Sequence, residues 1–470
     1  MRARLALLLL TASILVAPGA ALAARPGGGG SYRGGGTTGG GSFGGGGGVT
    51  TYGGVSRGTG TGSLGPIGTV VLLAVVGGIV LFVFIAQRRA RNAPRADQCD
   101  AAAGQRASAS LDPLRGRDPQ LSEQSVVQHV LPMADMLRNA WCAGDMKPAR
   151  AFVSDGVYGR FQVQLALMKQ ENRRNVMGDA RVLFTTIEGV EDAAPLDVVH
   201  VRLTAQARDT EVPWTANDAQ IQQALARAPA TPYTEIWTLV RKSGAQSKPG
   251  DFPVGRACPG CGAPLEGGAT IKCRYCGALV CSGEHDWVLA EITQLSEWRP
   301  TFPRPMALGA LRAADPGVAA ETLEDRAQWV FWKWIEAGRA GQPGPLRKFA
   351  TAAALASGAG IETTRGAVDV AVGGAQVIDV RMAAPDGCDH VAVRIMWSAR
   401  FGGQPQPTPC RTIVRLARRT GVQSKLSMTA LVCQGCGAPL SENESTKCEH
   451  CGAELAAGEG AWVLEGVQAA

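Results

Sequence analysis

Two cysteine quartets constrain this chain more than any other feature. Both follow the spacing C-x2-C, eleven residues, C-x2-C, and each is followed by Trp-Val-Leu, at 287–289 and 462–464. Two C-x2-C turns can present four thiolates to one tetrahedral Zn²⁺ ion, whose coordination sphere they fill. The pattern therefore predicts two closed, structural zinc sites, with these ligands: Cys258, Cys261, Cys273 and Cys276 in the first, and Cys433, Cys436, Cys448 and Cys451 in the second.

The residues around the quartets favour metal binding over disulfides or cysteines scattered for packing, because two copies share one spacing. The second cysteine of every pair is followed by glycine, which tolerates the left-handed backbone of such turns. We expect the Trp-Val-Leu segments to form the last strand of each small ribbon. Cys281 and His285 could compete as ligands, but the second copy has no equivalent, so both are left out of the ligand set.

The N-terminal region reads as a targeting sequence and a tether. Arg2 and Arg4 precede an apolar run and Ala21-Leu22-Ala23, which predicts a signal peptide over residues 1–23, with an uncleaved anchor as the alternative. Residues 24–65 are mostly glycine and cannot bury apolar surface, so we expect a disordered segment.

Residues 66–86 are uncharged and rich in Val, Leu, Ile and Phe. A helix of this length spans about 30 Å, the thickness of the hydrocarbon layer. The arginines of the basic linker 87–119 follow at once, which marks the cytoplasmic side. Eight thiols arranged for zinc also suit a reducing compartment. The sequence therefore predicts a single-pass protein of the cell (inner) membrane, with the Gly-rich segment outside and the C-terminal domains in the cytoplasm.

The first soluble domain, 120–250, shows helical periodicity before strand-like segments. One apolar stripe runs from Val126 to Trp141, although Pro132 should kink or divide that helix. A second stripe passes through Val157, Phe161, Leu165 and Met168. Strands are expected at 181–187, 198–207 and 234–242. Helices followed by an antiparallel sheet predict an α+β fold.

The second domain, 317–428, repeats this order more loosely. Its aromatic-rich helix covers 327–334, and the aromatics Trp329, Phe331, Trp332 and Trp334 are too many for one narrow face. Either some are exposed for a partner or all are packed. A further helical candidate is 346–355, and strands are expected at 367–372, 376–383, 390–398 and 410–418. The segments 241–248 and 418–425 are alike, so the duplicated unit is a domain plus its ribbon (256–292 and 431–466).

The segment 141–158, with Trp-Cys-Ala-Gly-Asp-Met-Lys-Pro-Ala-Arg-Ala-Phe and then Ser-Asp-Gly-Val-Tyr, resembles the first helices of the Tim-forty-four-like domain family. Trp334, Gly338, Arg347 and Phe349 echo it in the second domain. The resemblance implies the cone-shaped fold of the nuclear transport factor 2 superfamily, in a membrane-associated domain that contacts proteins and lipid headgroups. Zinc ribbons and a duplicated domain depart from the mitochondrial import subunit of that family, so a role in import is not carried over.

Three functions remain open from the sequence. The first is a non-enzymatic, membrane-anchored scaffold that binds protein partners. The second is a ligand-binding or acid/base enzyme that uses the cone pocket, for which the candidates are Asp145, Tyr158, His200, Asp379 and His390. The third is nucleic-acid binding by the ribbons. It is disfavoured because the first ribbon carries the basic residues Lys272 and Arg274, whereas the second carries glutamates, which repel phosphate. The net charge of only +7 also gives no strong support for nucleic-acid binding.

Overall fold

The computed structural model describes residues 108–248, 254–265, 271–295, 298, 304–404, 406–424, 428, 433, 436, 438, 440, 445–455 and 461–469. The predicted signal peptide, Gly-rich segment and membrane span, and the linker up to residue 107, lie outside these residues. Within the described part of the chain, no helix combines the length and the apolar character that a membrane crossing needs.

The first repeat begins with helices and continues into a sheet. Its elements are α1 (Asp112–Arg115), α2 (Glu123–Ala143), a 3-10 turn (Lys147–Ala149), α3 (Asp155–Gln170), β1 (Arg173–Ala193), β2 (Leu196–Pro213), α4 (Asp218–Arg227), β3 (Ala230–Lys242) and β4 (Val288–Gln294). Ser122 and Ser125 form a capping box that starts α2, and Gly144, at φ +72°, ends it.

The second repeat follows the same order. Its elements are α5 (Met306–Ala314), α6 (Ala320–Ala340), 3-10 turns (Gly344–Leu346 and Gly358–Thr364) on either side of α7 (Ala352–Ala356), β5 (Val368–Arg381), β6 (Cys388–Arg400), β7 (Thr408–Arg419) and β8 (Val463–Ala469). The helix that corresponds to α3 is thus reduced to the short α7 and a 3-10 turn.

Each repeat forms a four-stranded antiparallel sheet, ordered β1-β2-β3-β4 and β5-β6-β7-β8. The α+β prediction is therefore confirmed. The prediction that Trp-Val-Leu ends each ribbon was wrong, because Val288 pairs with Val240 of β3 and Val463 pairs with Ala417 of β7. Each cysteine quartet is instead inserted between the third and fourth strands of its sheet.

Several predicted elements have different limits in the structure. Helix α2 continues through Pro132, so that residue does not divide it. The predicted strands 367–372 and 376–383 are one strand, β5, because register shifts between 368 and 379 interrupt its alternation without ending its pairing. Helix α4 was not predicted from the sequence; its buried apolar residues, Ile221 and Leu225, pack on Val176 and Val212.

The two repeats share helices at their junction. One face of α3 contributes Val157 and Phe161 to the first core, and another contributes Val163 and Leu167 to the second. Helix α6 lies between α3 and the second sheet, so it is covered on several sides. Its four central aromatic residues are all at most 6% exposed, so all of them pack in the interior instead of being exposed for a partner: Trp329, Phe331, Trp332 and Trp334.

The crossing of α3 and α6 depends on two glycines. A Cβ atom on Gly156 would lie 2.3 Å from an oxygen of Asp325, and one on Gly159 would lie 2.0 Å from the Trp329 ring. Only glycine permits this approach, so these positions of α3 fix how closely the second repeat docks.

Candidate metal centres

Each cysteine quartet brings its four sulfurs to within 4.8 Å of one another. The Sγ atoms of Cys258 and Cys276 are 3.6 Å apart, and those of Cys261 and Cys273 are 3.8 Å apart; the two corresponding pairs of the second quartet are both at 3.7 Å. Four sulfurs at about 2.3 Å from a tetrahedral zinc ion would be about 3.8 Å apart. The observed spacing therefore fits that ion, and the eight cysteines form no disulfides.

The turns around the sulfurs are the ones that this spacing predicts. The amide of Gly277 donates to the carbonyl of Cys273, and Gly262, Gly277 and Gly452 have φ values between +73° and +75°. A backbone N–H of Cys276 donates to the Cys273 sulfur and lowers the pKa of that thiol to about 6; the N–H of Cys451 does the same for Cys448. These donors favour the thiolate, which is the metal-binding form.

Cys281 and His285 lie outside the first quartet, as expected. The Cys281 side chain is buried, and burial raises the pKa of its thiol to about 12. His285 is near Gly260 at the ribbon surface, but it is not among the four clustered donors. The donor set is therefore purely sulfur, with one buried and one exposed cysteine in each pair.

A buried arginine ties the first ribbon to its domain. Arg241, at the end of β3, donates to Asp118 (2.7 Å), and its Nε lies 3.6 Å from Asp197 of β2. Ser247 also donates to Asp118, through its hydroxyl at 2.6 Å. The Arg241 guanidinium stacks 4.2 Å from the ring centroid of Trp287, the first residue after the ribbon.

The second repeat has the same arrangement. Arg418 donates to Asp315 at 2.6 Å, Ser424 donates to Asp315, and Arg418 lies 4.5 Å from the Trp462 ring centroid. The shared segments 241–248 and 418–425 are recognisable in the sequence, but the aspartates that pair with them are not. They are distant in the chain, and no local pattern links them to the arginines.

Where the two sheets approach each other, backbone groups of β5 form hydrogen bonds with side chains instead of with a neighbouring strand. The Glu291 carboxylate of β4 accepts from the amide of Ala375 (3.1 Å), and Glu324 of α6 accepts from Val377 (3.0 Å), both on β5. Gln164 of α3 donates to the carbonyl of Val370 at 2.9 Å. Asp325 accepts from the amide of Gly156 (3.0 Å) and from the Ser154 hydroxyl, so it caps the start of α3. Burial raises the pKa of Glu291 to about 7 and those of Glu324 and Asp325 to about 8.

A cleft of the first repeat lies between α2 and the inner face of its sheet. It is lined by Leu137, Arg138, Tyr233, Glu235 and Trp237, among others, and its cavity volume is about 30 Å³. That is room for a few water molecules at most, whereas ligand pockets have volumes of about 300–1,000 Å³. The inner face of the second sheet is filled by Phe331, Trp334 and Trp397, whose rings contact one another.

The acid/base candidates do not converge. The Asp145 carboxylate accepts from the amide of Lys147, the Tyr158 hydroxyl accepts from Gln162, and His200 contacts Glu191 and Thr238. Asp379 pairs with Arg381, while His390 contacts Asp386 and Glu465. Of the five, only Asp379 and His390 line a common hollow among those described, and it is shallow.

Comparison with known proteins adds little. No known family matches this sequence. No curated protein matches it either. Among solved structures, the chain is similar to an NTF2-like protein involved in plasmid conjugation, with 8% sequence identity, over 57% of this chain and 86% of that one. The TM-score is 0.14, which is too low to carry an argument.

Proposed function

We propose that this protein is a membrane-anchored cytoplasmic scaffold in which two Tim-forty-four-like domains bind protein partners. Each domain carries a ribbon that a structural zinc ion stabilises. The observation that carries the proposal is the fused tandem. Helices α3 and α6 join the cores of the two repeats, and among the described residues the interiors are filled with side chains, with room for a few water molecules at most in the cleft under α2.

Zinc is the proposed occupant of both quartets. Four thiolates at tetrahedral spacing suit Zn²⁺, and they leave no open position for a catalytic water. When bound, the metal would supply cross-linking between the two turns of each ribbon. The exposed surfaces then remain for partners, since the acid/base candidates do not converge on one pocket and each has a hydrogen-bond or ion-pair partner within the fold.

The ribbons do not support a common nucleic-acid role. Lys272 and Arg274 lie on the first, whereas on the second Glu449 stands at the position of Arg274 and Glu454 adds a further acidic group. Acidic side chains repel phosphate, so the two ribbons would act against each other on one strand.

Partner binding can be tested on the intact protein in its own membrane. The exposed apolar residues Phe184 (56%), Tyr275 (58%) and Met306 (97%) mark surfaces a partner could cover. A photo-cross-linking residue at each position should yield a discrete protein adduct at one or more of them. The exposed polar residue Gln222 on α4 is the matched control position. Absence of any adduct beyond the Gln222 background would contradict the scaffold proposal.

Orientation is tested separately by labelling whole cells with an impermeant maleimide. A cysteine introduced at Ser42, in the Gly-rich segment, should react on intact cells. A cysteine at the exposed position Asp379 should react only after lysis. Labelling of the Asp379→Cys variant on unbroken cells would overturn the cytoplasmic assignment.

A further inference from the structure

A second kind of donor cluster lies on one face of the second sheet, beside the turn between β5 and β6. His390 of β6 is only 7% exposed, and both of its ring nitrogens face carboxylates. Nδ1 lies 3.0 Å from Oε2 of Glu465, and Nε2 lies 3.0 Å from Oδ2 of Asp386. One donor atom from each of the three residues lies within 4.8 Å of the others.

Two carboxylates on one imidazole favour an added positive charge, which is either a second ring proton or a metal ion. A neutral ring has one N–H donor and one acceptor nitrogen, so one of the two contacts would otherwise oppose an acceptor to an acceptor. His200 in the first repeat does not have this problem. Its Nδ1 lies 3.0 Å from the Thr238 hydroxyl, which can donate or accept, and only Nε2 faces a carboxylate, that of Glu191.

We propose that Asp386, His390 and Glu465 form a third divalent-metal site, built from nitrogen and oxygen ligands and open to solvent. Such ligands around a tetrahedral ion at about 2.1 Å would be about 3.4 Å apart, which side-chain adjustment can reach from the observed spacing. The carboxylates are 55% and 38% exposed, so they can move onto the ion and leave positions for water. Imidazole with carboxylates suits Zn²⁺, and also Co²⁺ or Mn²⁺.

The neighbouring cations have other partners. Arg381 lies 3.5 Å from Asp379, and Arg415 donates to Gln468. Cys388 is near the cluster but is not among the three converging donors. Arg381 and Arg415 are thus engaged by residues other than Asp386 and Glu465.

The fold itself does not require these side chains. The strand register places Val198 and Ala290 of the first repeat at the positions of His390 and Glu465. There they pack with Ala319 and Met428 of the second repeat. The polar cluster thus replaces an apolar contact that, in the first repeat, is covered by residues of the second repeat. Its residues can be exchanged for those of the first repeat.

The test is metal stoichiometry of the full-length chain equilibrated with buffered Zn²⁺. The wild type should hold one equivalent more than a His390→Val/Glu465→Ala variant and more than Asp386→Asn, which alters an exposed residue and should leave the fold intact. His200→Asn is the matched control and should keep the extra equivalent. Since the readout is a difference between variants, it does not depend on whether the ribbons hold zinc.

Either of two results overturns the proposal. If the wild type and the Asp386→Asn variant hold the same number of ions, the ring carries a second proton instead of a metal. If His200→Asn loses the same equivalent, the ion is bound elsewhere. With Co²⁺ in place of Zn²⁺, the extra equivalent should lack the sulfur-to-metal charge-transfer band that thiolate ligands give.

Discussion

Arg241 and Arg418 illustrate, at the scale of single residues, how this chain buries charge. Each guanidinium is about 1% exposed at its side chain, and each is paired with an aspartate that precedes a helix of its own repeat. The net worth of a buried ion pair is small, but removal of one partner leaves an uncompensated charge in the interior.

We therefore expect Asp118→Ala to lower the free energy of unfolding by about 3–5 kcal/mol. Asp315→Ala should have a similar effect, because its contacts are nearly the same. Chemical denaturation measures both. The control is Asp112→Ala, which breaks a solvent-exposed pair with Arg115 and should have a much smaller effect, because water screens that pair. Equal effects at Asp118 and Asp112 would contradict the buried-pair account.

Gly159 allows a second prediction at this scale. Gly159→Ala removes the space that the Trp329 ring occupies, so overpacking should destabilise the protein by about 1–3 kcal/mol. Gly309 on α5 has no atom within 4 Å of an added Cβ. Gly309→Ala should instead be neutral or stabilising by about 0.5–1 kcal/mol. Thermal unfolding of the two variants compares them directly, and a stabilised Gly159→Ala protein would argue against the close helix crossing.

At this scale the sequence was informative where spacing is local. The cysteine quartets and their glycines could be read directly, because metal-binding turns need short, fixed intervals. Asp118, Asp315 and Asp325 could not be found in this way. Their partners are Arg241, Arg418 and Gly156, which are far away in the chain, and only the folded topology brings them together.

At the scale of elements, each ribbon is inserted between the third and fourth strands of its sheet. β4 completes the first sheet only after the chain has passed through the quartet, and the amide of its Leu289 also donates to the Phe152 carbonyl that precedes α3. The sequence predicted Val288–Leu289 as strand but assigned it to the wrong sheet. The pairing partner of a short apolar strand is not encoded in its own periodicity.

We predict that Cys273→Ser loosens β4 more than β2. Loss of the metal should unfold the ribbon, since metal binding contributes about 10–16 kcal/mol to zinc-finger peptides. Hydrogen exchange in β4 should then accelerate about tenfold or more, equivalent to about 1.4 kcal/mol of local stability. Cys410→Ser, outside both quartets, is the control. Unchanged protection of β4 in the Cys273→Ser protein would show that the strand is independent of the ribbon.

At the scale of the whole molecule, the repeats are joined by polar side chains that cap backbone groups. This arrangement covers the facing edges of β4 and β5 without pairing them, which avoids an open strand edge between the repeats. Duplication was evident in the sequence, but the junction was not. Trp329 and Trp332 could only be assigned to the interior once α3 was known to cover α6.

The junction predicts a pH dependence of stability. Burial raises the pKa of Asp325 to about 8, far above the unfolded value near 3.9, so the folded state binds more protons between these limits. Stability should therefore fall as pH rises from about 5 to 8, by at most about 1.4 kcal/mol per pH unit for each such group. Glu324, with a pKa of about 8, acts in the same direction.

Urea denaturation at several pH values measures this slope. Asp325→Asn keeps the oxygen that accepts from Gly156 but cannot ionise, so the slope should become flatter. Asp379→Asn, at an exposed residue, should leave it unchanged. A slope that is the same in the wild type and in Asp325→Asn would exclude this carboxyl as its source.

The inserted ribbons also impose an order on biosynthesis. β3 leaves the ribosome well before β4, and the cysteine quartet lies between Lys242 and Val288. At about 5–20 residues per second, the growing sheet stays one strand short for a few seconds. During that interval the free edge of β3 can pair with strands of neighbouring nascent chains. If the quartets hold zinc, as proposed, a cell short of zinc would prolong the exposure, and yield in culture should then depend on zinc supply through aggregation of newly made chains as well as through loss of the finished protein.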